Sequence, residues 1–230
     1  REPEVSDLAG FLNRAGAKIT GAGTEEIHIQ GVQKLNPVEY RIIPDRIEAG
    51  TFMVAAAATG GNLLVKNIVP DHMEATIVKL KEAGLLIDVG PDWVRVSVRN
   101  GVKATDVKTM PYPGFPTDMQ QQFCALLSLA QGTSVVTETV FENRFIFINE
   151  LKRMGADIKL EGQSAIITGV PFLSSAPIKV SDLRAGAALI IAGLAAKGET
   201  EIEDRDHHIE RGYENLQKKL SAVGAEIKIV

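Results

Sequence analysis

The sequence predicts an α/β (α+β) protein in which apolar helices are enclosed by sheets. Three observations predict it. A helix that ends in glycine and runs into an alternating strand pair recurs four times. A second, more apolar helix followed by a glycine-led strand recurs three times between those copies. The 230 residues are 45% hydrophobic and 23% charged, the balance of a globular protein long enough for one large domain or two small ones.

The first motif reads LNRAGAKITGAGTEEIHIQGV around Gly16, LKEAGLLIDVGPDWVRVSV around Gly84, LKRMGADIKLEGQSAIITGV around Gly155 and LSAVGAEIKIV around Gly224. By subtraction the glycines stand 68, 71 and 69 residues apart. Apolar residues recur at helical period before them, as in Val5, Leu8, Leu12 and Ala15, and again in Tyr213, Leu216, Leu220 and Val223. Each glycine stands where a C-terminal cap takes a left-handed residue. After it, Ile27 and Ile29, or Val94, Val96 and Val98, alternate as half-buried strands do. The GAGTEE stretch, Gly21 to Glu26, reads as a turn between strands and not as a phosphate loop.

The second motif reads RIEAGTFMVAAAATGGNLLV, DMQQQFCALLSLAQGTSVV and DLRAGAALIIAGLAAKGETEI, with Gly61, Gly132 and Gly198 in similar positions. These helices are apolar on most faces and are expected inside a ring of sheets, with the amphipathic helices outside. The repeating unit is then strand–helix–strand–helix–strand–strand. The inner helices begin alike: Asp45 with Glu48, Thr117 with Gln120, and Ser181 with Asp182 are N-cap signals. If the three starts meet in space, their free N–H groups and dipoles make one end of the bundle suited to anions.

Composition excludes several classes. No apolar run reaches the ~18 residues of a membrane span, and Ala185 to Ala196, the longest, is short and broken by glycine. The net charge of −4 argues against a nucleic-acid footprint. One cysteine, Cys124, rules out an internal disulfide framework and fits a reducing, cytoplasmic compartment. It sits in an apolar helix, where a buried structural thiol is expected. No signal-peptide pattern opens the chain, which begins at Arg1. His207 and His208 have no third ligand at zinc spacing, so no metal is expected.

The chemistry-bearing candidates lie near the helix starts. In PYPGFPTDMQQQ, Pro111 to Gln122, three prolines and a glycine fix a loop before a helix, which lowers the ordering cost of binding a ligand. Asp118 follows in the first turn, either as a capping carboxylate or as a base or orienting group for a substrate hydroxyl. Arg184 in SDLRAG and Arg211 in HIERGYE each offer a planar fork for carboxylate or phosphate, or a surface salt bridge.

Five ordered segments carry a resemblance: PDRIEAGTF (Pro44–Phe52), PGFPTDMQ (Pro113–Gln120), ETVFENRF (Glu138–Phe145), DLRAGAALIIAG (Asp182–Gly193) and HIERGYE (His208–Glu214). Together they resemble the enolpyruvyl transferase family across the whole chain, in its UDP-N-acetylglucosamine branch rather than its shikimate-pathway branch. The resemblance implies an inside-out α/β barrel of repeated βαβαββ units. Residues 1–43 would finish a first, mostly absent domain, and 44–230 would form most of a second. It implies transfer of the enolpyruvyl group of phosphoenolpyruvate to the 3′-hydroxyl of UDP-N-acetylglucosamine with release of phosphate, as the first committed step of peptidoglycan synthesis. It implies no cofactor, no membrane and no nucleic acid.

Residue by residue, the resemblance places Asp118 at the 3′-hydroxyl, and Arg184 and Arg211 on the phosphoenolpyruvate carboxylate and phosphate. Val140 and Phe141 match residues against the nucleotide sugar, Asp182 and Arg144 match supporting polar positions, and Asp45 and Glu2 match acidic residues near the hinge and cleft. Asp118, Arg211 and Asp182 are the catalytic set. The family's N-terminal lysine and cysteine-bearing loop have no counterpart in this sequence, so negligible activity is expected of the chain by itself. The other readings are a non-catalytic fragment that binds a partner or itself, and another enzyme on the same repeats.

Overall fold

The computed structural model describes residues 1–229. The chain opens with α1 (Pro3–Arg14) and a two-stranded antiparallel ribbon, β1 (Lys18–Thr20) with β2 (His28–Gln30). Gly21 to Glu26 turns between them, with Gly21 and Gly23 at positive φ, as the sequence indicated. The alternation of Ile27 and Ile29 does not produce half-burial here. Both are exposed, Ile29 to 71%, because β2 has no layer packed on it. Val5 and Leu8 of α1 are likewise exposed, and only Ala15 of that stripe is buried.

Three apolar helices form the centre: α2 (Arg46–Ala58), α4 (Gln120–Leu127) and α6 (Leu183–Ala195). Each packs against both of the others. Sheets wrap them. The first is β3 (Asn62–Lys66), β5 (Trp93–Ser97) and β4 (Leu86–Val89), all antiparallel, in the order β3-β5-β4. The second is β6 (Val107–Lys108), β7 (Thr133–Thr137), β9 (Ser164–Thr168) and β8 (Asp157–Glu161), in the order β6-β7-β9-β8. There β6 runs parallel to β7, with Val107 opposite Val136, and the other pairings are antiparallel. The third is short: β10 (Ile178–Lys179) parallel to β11 (Ile202–Glu203). Alternation turns into burial as expected in the middle of the chain, where Val94 and Val96 of β5 are fully buried.

The amphipathic helices lie outside: α3 (Glu74–Glu82) against β4 and α5 (Ile148–Arg153) against β8. In the last copy the expected single helix is two, α7 (His208–Gly212) and α8 (Leu216–Ala222), because Asn215 between them adopts φ 51°. The expected strand after Gly224 does not form over Ala225–Ile229, for among the described residues no strand pairs with it to supply a ladder; Val230 lies outside the described residues. No helix of the described residues is long and apolar enough to cross a membrane.

Two glycines set how the last copy meets the inner helices. A Cβ on Gly186 of α6 would stand 2.4 Å from Ile209 Cγ1, and one on Gly212 2.5 Å from Leu183 Cδ1. Their missing side chains let α7 lie directly on the first turns of α6, which places Arg211 and Tyr213 at that end of the bundle.

Candidate functional site

The inner helices begin at the same end. Asp45 caps α2 by accepting from the N–H groups of Ile47 (2.7 Å) and Glu48 (3.0 Å). Asp182 caps α6 by accepting from Arg184 (2.9 Å) and Ala185 (3.0 Å). Both caps are as the sequence indicated. At α4 the expectation fails: Thr117 does not cap the helix but donates its hydroxyl to Glu138 Oε2 at 2.8 Å. The three starts touch. Gln121 Nε2 of α4 donates to Asp182 Oδ2 at 3.3 Å. Gln122 Nε2 donates to Thr51 Oγ1 of α2 at 3.1 Å and to the Tyr213 hydroxyl at 3.2 Å, and those two hydroxyls stand 3.0 Å apart.

Asp118 lies at this meeting point, in the turn that leads into α4. It caps nothing. Arg144 Nη2 donates to its Oδ1 at 2.7 Å and Arg184 Nη2 to its Oδ2 at 3.0 Å. The arginine side chains are 14% and 11% exposed and Asp118 is 37% exposed, so the carboxylate faces solvent over a largely buried pair of cations. A carboxylate has about four lone-pair positions, so one bond to each oxygen leaves acceptor capacity for a ligand hydroxyl. The guanidinium groups are backed by rings: Arg144 lies 4.7 Å from the Phe141 centroid and Arg184 5.4 Å from that of Tyr213. Burial works against the Arg184 charge, but Tyr213 and Asp118 outweigh it and hold its pKa above the usual guanidinium value. Arg144 Nε and Arg184 Nε and Nη1 are buried with no hydrogen-bond partner among the described residues.

The remaining candidates frame this centre. Val140 and Phe141 are exposed at 41% and 54%, on the segment that carries Arg144. Arg211, on α7, is exposed and forms no ion pair among the described residues. Glu2 lies beyond the proline loop, where Oε1 accepts from the Tyr112 N–H at 3.4 Å. Beside it Arg46 Nε donates to Glu4 Oε1 at 2.8 Å and the Arg46 guanidinium lies 5.5 Å from the Tyr112 centroid. The structure thus joins Asp118, Arg144, Arg184, Asp182 and Phe141 in one connected group. It sets Asp45 at the start of α2, and Glu2 on the far side of the loop. That loop closes on itself through Met110 N–H to Phe115 O and Gly114 N–H to Pro111 O, both 2.9 Å.

Cys124 is fully buried, and burial pushes its thiol up, as befits a structural side chain. Sequence reasoning missed Glu138, Gln121, Gln122 and Tyr213 as parts of the site. One signal was available: three consecutive glutamines open a helix expected to be enclosed, and all three are buried.

Comparison with known proteins accords with this geometry. A family model described as EPSP synthase (3-phosphoshikimate 1-carboxyvinyltransferase) matches residues 1–220. UDP-N-acetylglucosamine 1-carboxyvinyltransferase 1 of Caldanaerobacter subterraneus subsp. tengcongensis is 58% identical over 98% of this chain and 54% of its own length. The protein of the same name from Carboxydothermus hydrogenoformans is 57% identical over 100% of this chain and 54% of its own. The chain spans about half the length of these curated relatives. Among solved structures, the enolpyruvyl transferase NikO from Streptomyces tendae superposes with a TM-score of 0.87 at 29% identity, covering 99% of this chain and 55% of that one. EPSP synthase from Acinetobacter baumannii shares the fold, with a TM-score of 0.72 at 20% identity over 95% of this chain and 54% of that one. The helices walled in by sheets therefore form an enolpyruvyl transferase fold, and the chain belongs to the EPSP synthase family.

Proposed function

We propose that this chain is one half of an enzyme that transfers the enolpyruvyl group of phosphoenolpyruvate to the 3′-hydroxyl of UDP-N-acetylglucosamine, releasing phosphate. The observation that carries the reading is Asp118, solvent-facing and fixed by Arg144 and Arg184 at the common start of the inner helices. A carboxylate so placed accepts the hydrogen bond of the sugar hydroxyl and takes its proton as the oxygen adds to C2 of phosphoenolpyruvate, while C3 gains a proton. The tetrahedral adduct then loses a proton from C3 and its phosphate from C2, restoring the double bond.

The other residues suit the charges involved. Phosphoenolpyruvate brings a carboxylate and a phosphate, and Arg184 in the first turn of α6 and Arg211 in the last turn of α7, which forms no ion pair among the described residues, supply forks for them. Asp182 holds the first turn of α6, and Gln121 ties it to α4. Val140 and Phe141 offer an exposed apolar wall for the nucleotide sugar. Residues 1–43, joined to the rest through Glu2–Tyr112 and Glu4–Arg46, belong on this reading to a first domain that supplies the opposite wall. The sugar-nucleotide substrate is preferred over shikimate 3-phosphate because relatives named for the former are 55–58% identical, against 20% for the EPSP synthase structure.

Calorimetric titration of the 230-residue chain with UDP-N-acetylglucosamine tests the reading. Binding is expected, and Asp118→Asn should weaken it about tenfold, the worth of one hydrogen bond to a charged group. Equal affinity in the variant would remove Asp118 from the site. Phosphate release from both substrates by the chain alone should be negligible, since residues that act as a unit lose activity together.

A second reading, self-association without catalysis, draws on the apolar surface of residues 1–43, where Leu8, Ile29 and Ile42 are 55%, 71% and 74% exposed. A sedimentation coefficient that rises with concentration would favour it, and a constant one would count against it.

A further inference from the structure

Glu138 is 2% exposed, yet it is neither at the site surface nor paired with a cation among the described residues. Four donors converge on it instead. Oε1 accepts from the Thr109 hydroxyl at 2.8 Å and from the N–H groups of Val140 at 2.8 Å and Phe141 at 3.1 Å. Oε2 accepts from the Thr117 hydroxyl at 2.8 Å. Thr109 Oγ1 in turn accepts from the Thr139 N–H at 2.9 Å, which anchors the same segment a second time.

These partners sit on three stretches of chain, around Thr109, Thr117 and Val140, and the last two lead to the site. Thr117 precedes Asp118 on the proline loop. Val140 and Phe141 lead to Arg144, whose guanidinium stacks on Phe141 and donates to Asp118. The contacts close a circuit from Glu138 through Thr117 and Asp118 to Arg144, Phe141 and back. Neither of these two stretches is held by a regular ladder at these residues, so the buried carboxyl ties one to the other from below, as the Arg144–Asp118 ion pair does at the surface. Hydrogen bonds to a charged acceptor in a low-dielectric interior are the stronger kind.

We infer that Glu138 is a positioning residue, a buried clasp that holds the Asp118 loop and the Val140–Phe141 wall in fixed relation so that both meet the nucleotide sugar together. The inference rests on the proposed function for its ligand but not for its geometry. Glutamine can replace it. The amide oxygen can take the three Oε1 donors, and the amide nitrogen can donate to Thr117 Oγ1, a hydroxyl able to accept. Methionine fills the space and satisfies none of the four donors.

Two readouts on the 230-residue chain test the clasp: amide hydrogen exchange at Val140 and Phe141 by NMR, and calorimetric binding of UDP-N-acetylglucosamine and of phosphoenolpyruvate separately. In Glu138→Met both amides should exchange more than about tenfold faster and the sugar nucleotide should bind about tenfold more weakly, while phosphoenolpyruvate binding changes little. Glu138→Gln should restore both readouts to within about threefold, which a residue needed only for folding volume would not require. Amides that stay protected in the methionine variant overturn the clasp. Amides that open without loss of sugar affinity overturn its link to the substrate. If the native chain binds no UDP-N-acetylglucosamine, the proposed function and the substrate half of the inference fall together, and exchange still decides whether Glu138 joins the two stretches. Should Glu138→Met fail to fold, Thr117→Val at a half-buried position takes its place. It should weaken sugar binding severalfold and leave the Val140 and Phe141 amides protected, and unchanged affinity would refute the coupling.

Discussion

The middle and last copies of the repeat carry nearly the same words and fold differently. LKRMGADIKL gives α5 and a β8 strand of five residues inside a four-stranded sheet. LSAVGAEIKIV gives α8 and then chain without a ladder, beside a sheet of two two-residue strands. In the middle copy β9 stands between β7 and β8 and hydrogen-bonds to both. In the last copy, among the described residues, β11 pairs with β10 alone and Ala225–Ile229 joins no sheet. The difference lies in the neighbour and not in the segment, because strand propensity is realised only where a partner satisfies the backbone.

Exchange of backbone amides should separate the two copies most. Val136 in the centre of the middle sheet should be protected more than about a thousandfold better than Glu203 on the open edge, since opening energies range from near zero to the global stability. Equal protection would mean that β11 has a second partner, beside β10, in solution.

The leucine four residues before each repeat glycine permits a matched series. Leu151 is fully buried, Leu220 is 4% exposed and Leu12 is only half-buried. Denaturant unfolding should show losses of about 3–4 kcal/mol for Leu151→Ala, about 2 for Leu220→Ala and under about 1 for Leu12→Ala. A large loss at Leu12 would show that residues 1–43 own a better core than their exposed Val5, Leu8 and Phe11 suggest. Between the last two values, Gly186→Ala should cost about 1–2 kcal/mol by pushing Ile209 and α7 off α6. It should also displace Arg211, which phosphoenolpyruvate titration would report.

What the sequence made legible follows the range of each interaction. Asp45 and Asp182 were readable as caps because cap and N–H lie within three residues. The burial of α2, α4 and α6 was readable from composition on all faces. Thr117 was misread because its hydroxyl is diverted to Glu138, 21 residues away, and no local pattern reports that. The meeting of Asp118 with Arg144 and Arg184, 26 and 66 residues on, came from family resemblance and not from spacing. Glu138 was invisible because its four partners come from three stretches of chain. The failed strand at Ala225–Ile229 was unreadable because its cause is a neighbour.

The hydroxyls of Thr51 and Tyr213 with the Gln122 amide join one residue from each copy of the repeat in residues 44–229. In an open solenoid a repeat touches only its neighbours, and ends can fray one unit at a time. Here first and last copies meet directly, so the three units close as a ring. Loss of any one exposes the apolar flanks of the other two. Heat should therefore melt this part of the molecule in a single transition, with no stable one- or two-unit remnant, although its sequence is written as a repeat.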